Sequence, residues 1–137
     1  MTASMSSTEL TRYRWFFAVA AVYDMLLGLA FFFLWKSVFD WIGMTLPPHV
    51  SYIQLPAVFV FVQGLGYALV ARDPLHNLGL VLIGIIYKGS YAALAAYYLV
   101  TDQIPAMFFA WFGLFDFLFL IGFVLFFWRA RQAATAT

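Results

Sequence analysis

A lysine in the middle of an apolar run constrains this chain more than any other feature. The run extends from Leu78 to Val100, 23 residues, and reads LGLVLIGIIYKGSYAALAAYYLV. At ~1.5 Å per residue, a helix of this length crosses a hydrocarbon core about 30 Å thick. Lys88 lies next to the midpoint of the run, where an ammonium group costs roughly 2.5–3.5 kcal/mol on the insertion scale. The apolar residues around it allow insertion, but the charge then needs a partner on another helix.

The composition is that of an integral membrane protein. Of the 137 residues, 66% are hydrophobic and only 9% are charged, whereas soluble domains have about 25% charged residues. Four apolar runs fill most of the chain and leave no room for a soluble catalytic domain. We therefore interpret residues 1–137 as a single membrane domain. No HExxH, GxSxG or P-loop motif is present, and we expect no enzymatic activity.

The predicted fold is an all-α, integral membrane four-helix transmembrane bundle. The predicted spans are residues 15–35, 52–71, 78–100 and 106–128, with polar tails at residues 1–11 and 129–137.

The segment between the first two spans predicts a short interfacial helix. Residues 36–46 mix charged and apolar side chains, and Pro47 and Pro48 then stop the pattern, which is typical of a helix lying on the membrane surface. Four apolar side chains of this segment are expected to dip toward the acyl chains: Val38, Phe39, Trp41 and Ile42.

The basic residues predict the orientation of the bundle. The predicted outer loops carry only Lys36, and all the arginines fall on the other side: Arg12, Arg14, Arg72, Arg129 and Arg131. By the positive-inside rule, the N-terminus, the C-terminus and the turn at residues 72–77 face the cytoplasm.

A polar side chain lies near the midpoint of every span, and we call the four together the midplane layer: Asp24, Gln63, Lys88 and Asp116. Because water is absent at this depth, we expect all four to turn inward. Lys88 would then bridge the aspartates, and Gln63 would fill the remaining hydrogen bonds. One lysine between two carboxylates leaves one net negative charge unless an aspartate keeps its proton.

Two interpretations of the midplane layer remain open at this point. The layer either fixes helix register and partner choice, as a buried polar residue does in a coiled coil, or it forms a ligand-binding or proton-binding site. For the second interpretation, four tyrosines are candidate lining residues: Tyr23, Tyr67, Tyr87 and Tyr91.

The sequence indicates no cofactor. The chain has no cysteine, and its two histidines, His49 and His76, lie in predicted loops on opposite sides of the membrane, so we expect neither a metal site nor a haem inside the bundle. Seventeen phenylalanines are compatible with a bound lipid, quinone or carotenoid but do not point to one. A net charge of +1 argues against a nucleic-acid partner.

The layout of the chain resembles the DoxX-like group of small bacterial four-span membrane proteins. The resemblance covers most of the chain and rests on LLGLAFFF in the first span, on the surface segment, and on LPAVFVFVQGLGYALVARDP leading directly into LGLVLIGII. It implies a bacterial inner-membrane protein that accompanies redox or envelope complexes, without a defined active site. The charged residues of the midplane layer match no known motif, so no site residue is carried over.

We expect a noncatalytic accessory or scaffold subunit that packs against helices of a larger membrane complex, against hydrophobic cofactors, or against itself. The alternative is a small proton-coupled carrier or a hydrophobic-ligand-binding membrane protein that uses the midplane layer.

Overall fold

The computed structural model describes residues 5–134 and contains only helices and loops over that range. In chain order the helices are α1 (Ser7–Phe33), α2 (Trp35–Ile42), α3 (Ser51–Arg72), α4 (Leu78–Val100), α5 (Ala106–Phe108), a π-helical segment (Phe109–Gly113) and α6 (Leu114–Ala134). Four stretches are long and apolar enough to cross a membrane: α1, α3, α4 and the continuous run from α5 to α6. The predicted all-α four-helix bundle of an integral membrane protein is confirmed.

The first helix begins at Ser7, well before the predicted start at residue 15. The Ser6 side chain accepts a hydrogen bond from the backbone N–H of Glu9 at 3.1 Å. Ser6 and Glu9 have the spacing of a capping box, in which a serine and a glutamate three residues later satisfy the free N–H groups of a helix start. Residues 7–11 of the predicted polar tail are therefore helical, and residues 1–4 lie outside the described residues.

The last helix also extends beyond its predicted end at residue 128. It continues to Ala134, so much of the predicted tail at residues 129–137 is helical, and residues 135–137 lie outside the described range. The Arg129 guanidinium donates to the two carboxylate oxygens of Glu9 at 3.0 and 3.3 Å. This ion pair joins the start of α1 to the end of α6, at what we call the terminal end of the bundle.

The closest helix pairing is between α1 and α3, and it depends on glycine. A Cβ atom added to Gly64 would lie 2.8 Å from the Met25 backbone nitrogen, and one added to Gly28 would lie 2.8 Å from the Ala57 carbonyl oxygen. Small residues allow such backbone approach between membrane helices. The second major pairing is α4 with α6, while α3 and α4, which are joined by the short turn, contact each other less extensively.

The short helix between the first two spans is present as α2, but it ends earlier than residue 46. Gly43 closes it with a left-handed φ of 73°, a conformation that glycine adopts at little cost. Phe39 and Ile42 are buried, and the Phe39 ring lies 6.2 Å from the Phe31 ring. The expectation that all four apolar side chains of this segment meet lipid is therefore wrong for these two, because α2 folds onto the bundle.

The terminal half of the bundle is densely packed. Its core consists of fully or almost fully buried side chains from all four spans: Phe17, Ala20, Ala21, Tyr67, Val70, Val81, Phe123, Phe126 and Ala130.

Candidate functional site

Three charged residues of the midplane layer meet in the centre of the bundle. Lys88 donates to both carboxylate oxygens of Asp24, at 3.0 and 3.2 Å, and to Oδ1 of Asp116 at 2.6 Å. The three residues belong to α4, α1 and α6, and their exposed fractions are 0%, 1% and 4% for Lys88, Asp24 and Asp116. An ion cluster of this kind satisfies its members mutually where water is absent.

Small residues make room for the cluster on its own helices. They lie one turn before and one turn after Asp24 and Lys88, and all are buried: Ala20, Gly28, Gly84 and Ala92. This spacing puts them on the same helix face as the charge, so neighbouring helices can approach closely enough for the charged side chains to touch.

Aromatic rings surround the Lys88 ammonium. Its Nζ atom lies 5.3 Å from the centre of the Tyr67 ring, 5.8 Å from Tyr23, 5.6 Å from Tyr87 and 5.4 Å from Phe119. Ring faces at such distances attract a cation. Lys88 is thus enclosed by carboxylates and aromatic rings.

Gln63 does not join the cluster, contrary to the predicted four-residue layer. It is half-buried, and it makes no hydrogen bond to the charged residues in the described part of the chain. The buried Tyr67 hydroxyl has no hydrogen-bond partner among residues 5–134. The buried face of α3 contains Gly64 and Tyr67, whereas the adjacent Gln63 is only half-buried.

A cavity of about 180 Å³ lies between the charged cluster and α2, in the half of the bundle away from the terminal end. Asp24 and Asp116 form its inner end, and the remaining lining is mainly aromatic and aliphatic: Leu27, Gly28, Phe31, Phe39, Tyr52, Ile53, Pro56, Ala57, Val60, Tyr87, Tyr91 and Phe108. An engineered apolar cavity of about 150 Å³ binds benzene. The cavity in this protein is therefore large enough for a one-ring molecule.

The two aspartates differ in how their oxygens bond to Lys88. Both oxygens of Asp24 accept from Lys88, whereas Asp116 accepts through Oδ1 alone. The Oδ2 atom of Asp116 has no hydrogen-bond partner in the described chain, and it is not among the fully buried unpaired atoms. It therefore keeps accessible surface, and Asp116 lines the cavity.

A π-helical segment precedes Asp116 where the sequence predicted an ordinary helix. Phe109–Gly113 forms this wider turn, and the Trp111 carbonyl inside it accepts a hydrogen bond from the Tyr23 hydroxyl at 2.8 Å. A Cβ atom on Gly113 would lie 2.7 Å from the Phe109 ring, so a larger residue there would require this ring to move. Such turns often occur at functional sites, and this one directly precedes the helix that carries Asp116.

The four tyrosines proposed as lining residues divide into two pairs. Tyr87 and Tyr91 line the cavity, whereas Tyr23 and Tyr67 are not part of its described lining and lie, together with Tyr87, against the Lys88 ammonium. Sequence reasoning missed Phe39, which reaches the cavity from α2, because periodicity within a span does not show which connecting segment folds over the bundle.

No family model, no curated protein and no solved structure matches this chain. The resemblance to the DoxX-like group therefore stays a prediction.

Proposed function

We propose that this protein is a membrane-embedded binding protein for a small, largely apolar molecule. The observation that carries the proposal is the cavity of about 180 Å³ with aromatic walls and two carboxylates at its inner end. Ligand sites in proteins are typically concave, mostly apolar and equipped with a few polar groups that orient the ligand. The cavity has this composition.

The packing of the terminal half favours binding over transport. Phe17, Phe123 and Phe126 are fully buried, and the Phe17 ring lies 4.8 Å from Phe123 and 5.2 Å from Phe126. A carrier has to open its site to each side of the membrane in turn, which here would require this aromatic packing to come apart. A binding site needs no such rearrangement.

Three one-ring probes that differ in charge can test the binding function. Benzylamine, benzyl alcohol and benzoate are offered to the purified protein in nanodiscs, and binding is measured by equilibrium dialysis. Val60 lines the cavity, so Val60→Phe should fill it and weaken binding of the preferred probe about tenfold or more, which corresponds to at least ~1.4 kcal/mol.

Val62→Phe is the matched control for this experiment. Val62 lies on the same helix with 52% of its surface exposed, so the same substitution there should leave probe binding unchanged. The control also corrects for partitioning of the probes into lipid. If no probe binds the native protein more tightly than the Val60→Phe variant, the proposed function is wrong.

A second candidate function, an accessory subunit of a larger membrane complex, is favoured by an exposed aromatic cluster. Trp41, Trp111 and Phe115 have exposed fractions of 54%, 44% and 36%, and neighbouring ring centres lie 5.4 and 5.9 Å apart. Aromatic residues are enriched at protein interfaces. This role, in a bacterial inner membrane, is also what the resemblance to the DoxX-like group implies.

Purification in mild detergent tests the accessory role. Larger membrane subunits should co-purify with the native protein and with Trp15→Ala, an exposed tryptophan at the terminal end, but not with Trp41→Ala. Purification of the native protein without other subunits would count against this role and leave the binding function standing.

A further inference from the structure

We propose that the cavity is selective for a small organic cation, a protonated amine carried on about one ring, whose ammonium group is bound by Oδ2 of Asp116. The inference rests on the binding function proposed above and adds the chemical class of the ligand.

The first argument is the charge of the site. Asp24 and Asp116 share the single ammonium group of Lys88, so the cluster holds one negative charge in excess when both carboxylates are ionised. An uncompensated charge in a desolvated site is costly. A bound cation would neutralise it, whereas a bound anion would increase it.

The second argument is which charges reach the cavity. Asp24 and Asp116 both line it, but Lys88 does not, and no lysine or arginine belongs to its described lining. The Lys88 ammonium is covered by the two carboxylates and the surrounding rings. A ligand in the cavity therefore meets the negative side of the ion cluster.

The third argument is the free hydrogen-bonding capacity. Oδ2 of Asp116 accepts no hydrogen bond from the described residues, although only 4% of this residue is exposed. An ammonium group can donate to this oxygen and needs no donor in return.

The fourth argument concerns the walls and the size. Phe31, Tyr87, Tyr91 and Phe108 contribute aromatic rings to the lining, and ring faces attract cations, most strongly where water is excluded. The volume of about 180 Å³ is below the usual range of roughly 300–1,000 Å³ for drug-sized ligands. The site is therefore suited to a compact cation.

The native protein supplies the first test without any substitution. Among the three probes, the cation benzylamine should bind at least about tenfold more tightly than the neutral benzyl alcohol, and benzoate should bind most weakly.

Asp116→Asn removes the excess negative charge but keeps the shape of the side chain. It should weaken benzylamine binding about tenfold or more and change benzyl alcohol binding by less than about twofold. Asp40→Asn, at an exposed acidic residue of α2, should change neither.

The possible outcomes separate the two proposals. If benzyl alcohol binds as tightly as benzylamine and Val60→Phe weakens both, the binding function stands and the selectivity for a cation is overturned. Unchanged benzylamine binding in a folded Asp116→Asn protein would also overturn it. If no probe shows binding that depends on Val60, both proposals fail. Should Asp116→Asn not fold, the order of the three probes on the native protein decides the question.

Discussion

At the scale of single residues, Lys88 is the side chain on which the others depend. It is fully buried and its ammonium contacts two carboxylates from two other helices. Removing one member of a buried ion cluster is strongly destabilising, because the remaining charges are left unpaired. Replacing all the members by uncharged residues costs much less. A protein that has lost Lys88 should therefore regain stability only when the aspartates are replaced as well.

We predict that Lys88→Met lowers the free energy of unfolding. The usual scale for a broken buried pair, ~3–5 kcal/mol, is the upper bound, because interactions between membrane helices are often weaker. The triple variant Lys88→Met, Asp24→Asn, Asp116→Asn should recover most of this loss. Denaturant titration of the purified proteins in detergent measures both.

Lys36→Met provides the control, because Lys36 is exposed on α2, and it should change the free energy of unfolding by less than about 0.5 kcal/mol. Failure of the triple variant to regain stability would contradict this account of the cluster.

If the triple variant folds but binds no benzylamine, the cluster is part of the site; if it folds and binds normally, the role of the cluster is structural.

A second prediction at this scale concerns the turn between α3 and α4. The hydrogen bond from the His76 ring to the Asp73 carboxylate, 2.9 Å long, holds the pKa of Asp73 below its ordinary value of 3.8. Because the folded-state pKa is the lower one, the stabilisation is present above pH 3.8 and is lost as the pH falls through the folded-state pKa. Carboxyl NMR titration should show the lowered pKa in the native protein and in His49→Ala, and a return toward 3.8 in His76→Ala. An unchanged pKa in His76→Ala would contradict the assignment.

At the scale of helices, the contact between α1 and α3 determines where Asp24 lies. Gly64 sits against the backbone of α1, where an added Cβ would come within 2.9 Å of the Ala21 carbonyl and 2.8 Å of the Met25 nitrogen. Backbone atoms cannot yield unless the helix itself moves. Since Met25 follows Asp24 directly, separation of the two helices would also pull Asp24 from Lys88.

We therefore predict that Gly64→Ala lowers the free energy of unfolding by ~1–3 kcal/mol, the range for overpacked cores, and weakens probe binding. Gly66→Ala is the matched control on the same helix, because nothing lies within 4 Å of its added Cβ. It should leave stability unchanged or slightly raised, since alanine favours helix over glycine. Equal effects of the two substitutions in the same denaturant titration would show that close helix approach at Gly64 is not the cause.

At the scale of the whole molecule, the charged cluster separates a packed half from a half that contains the cavity. The core around Phe17, Phe123 and Phe126 fills the terminal half, and the cavity lies toward α2. The ion pair between Glu9 and Arg129 places the ends of the described chain on the packed side. The orientation of the bundle therefore determines which side of the membrane the half with the cavity faces.

We predict that both termini face the cytoplasm, because the arginines cluster on that side and the positive-inside rule holds for short loops. The cavity would then lie in the outer half of the bundle. In a bacterial host, a C-terminal green fluorescent protein fusion should be fluorescent and a C-terminal alkaline phosphatase fusion inactive. An active phosphatase fusion would reverse the assignment.

The sequence by itself determined the helices, the bundle and the depth of its charges. In lipid every backbone group has to be satisfied within a helix, so four long apolar runs predict four spans, and the position of Asp24, Lys88 or Asp116 within a run sets its depth. The sequence gives the depth of a residue in the membrane, but it does not give the direction in which the side chain points around the helix axis. That direction depends on the rotation of each helix, which only the tertiary structure decided. Gln63 has the predicted depth but makes no hydrogen bond to the charged residues in the described chain, whereas Asp116, on the helix that follows the π-helical turn, contacts Lys88. The cavity also depends on α2 folding over the bundle, a long-range contact that leaves no periodic pattern in the sequence.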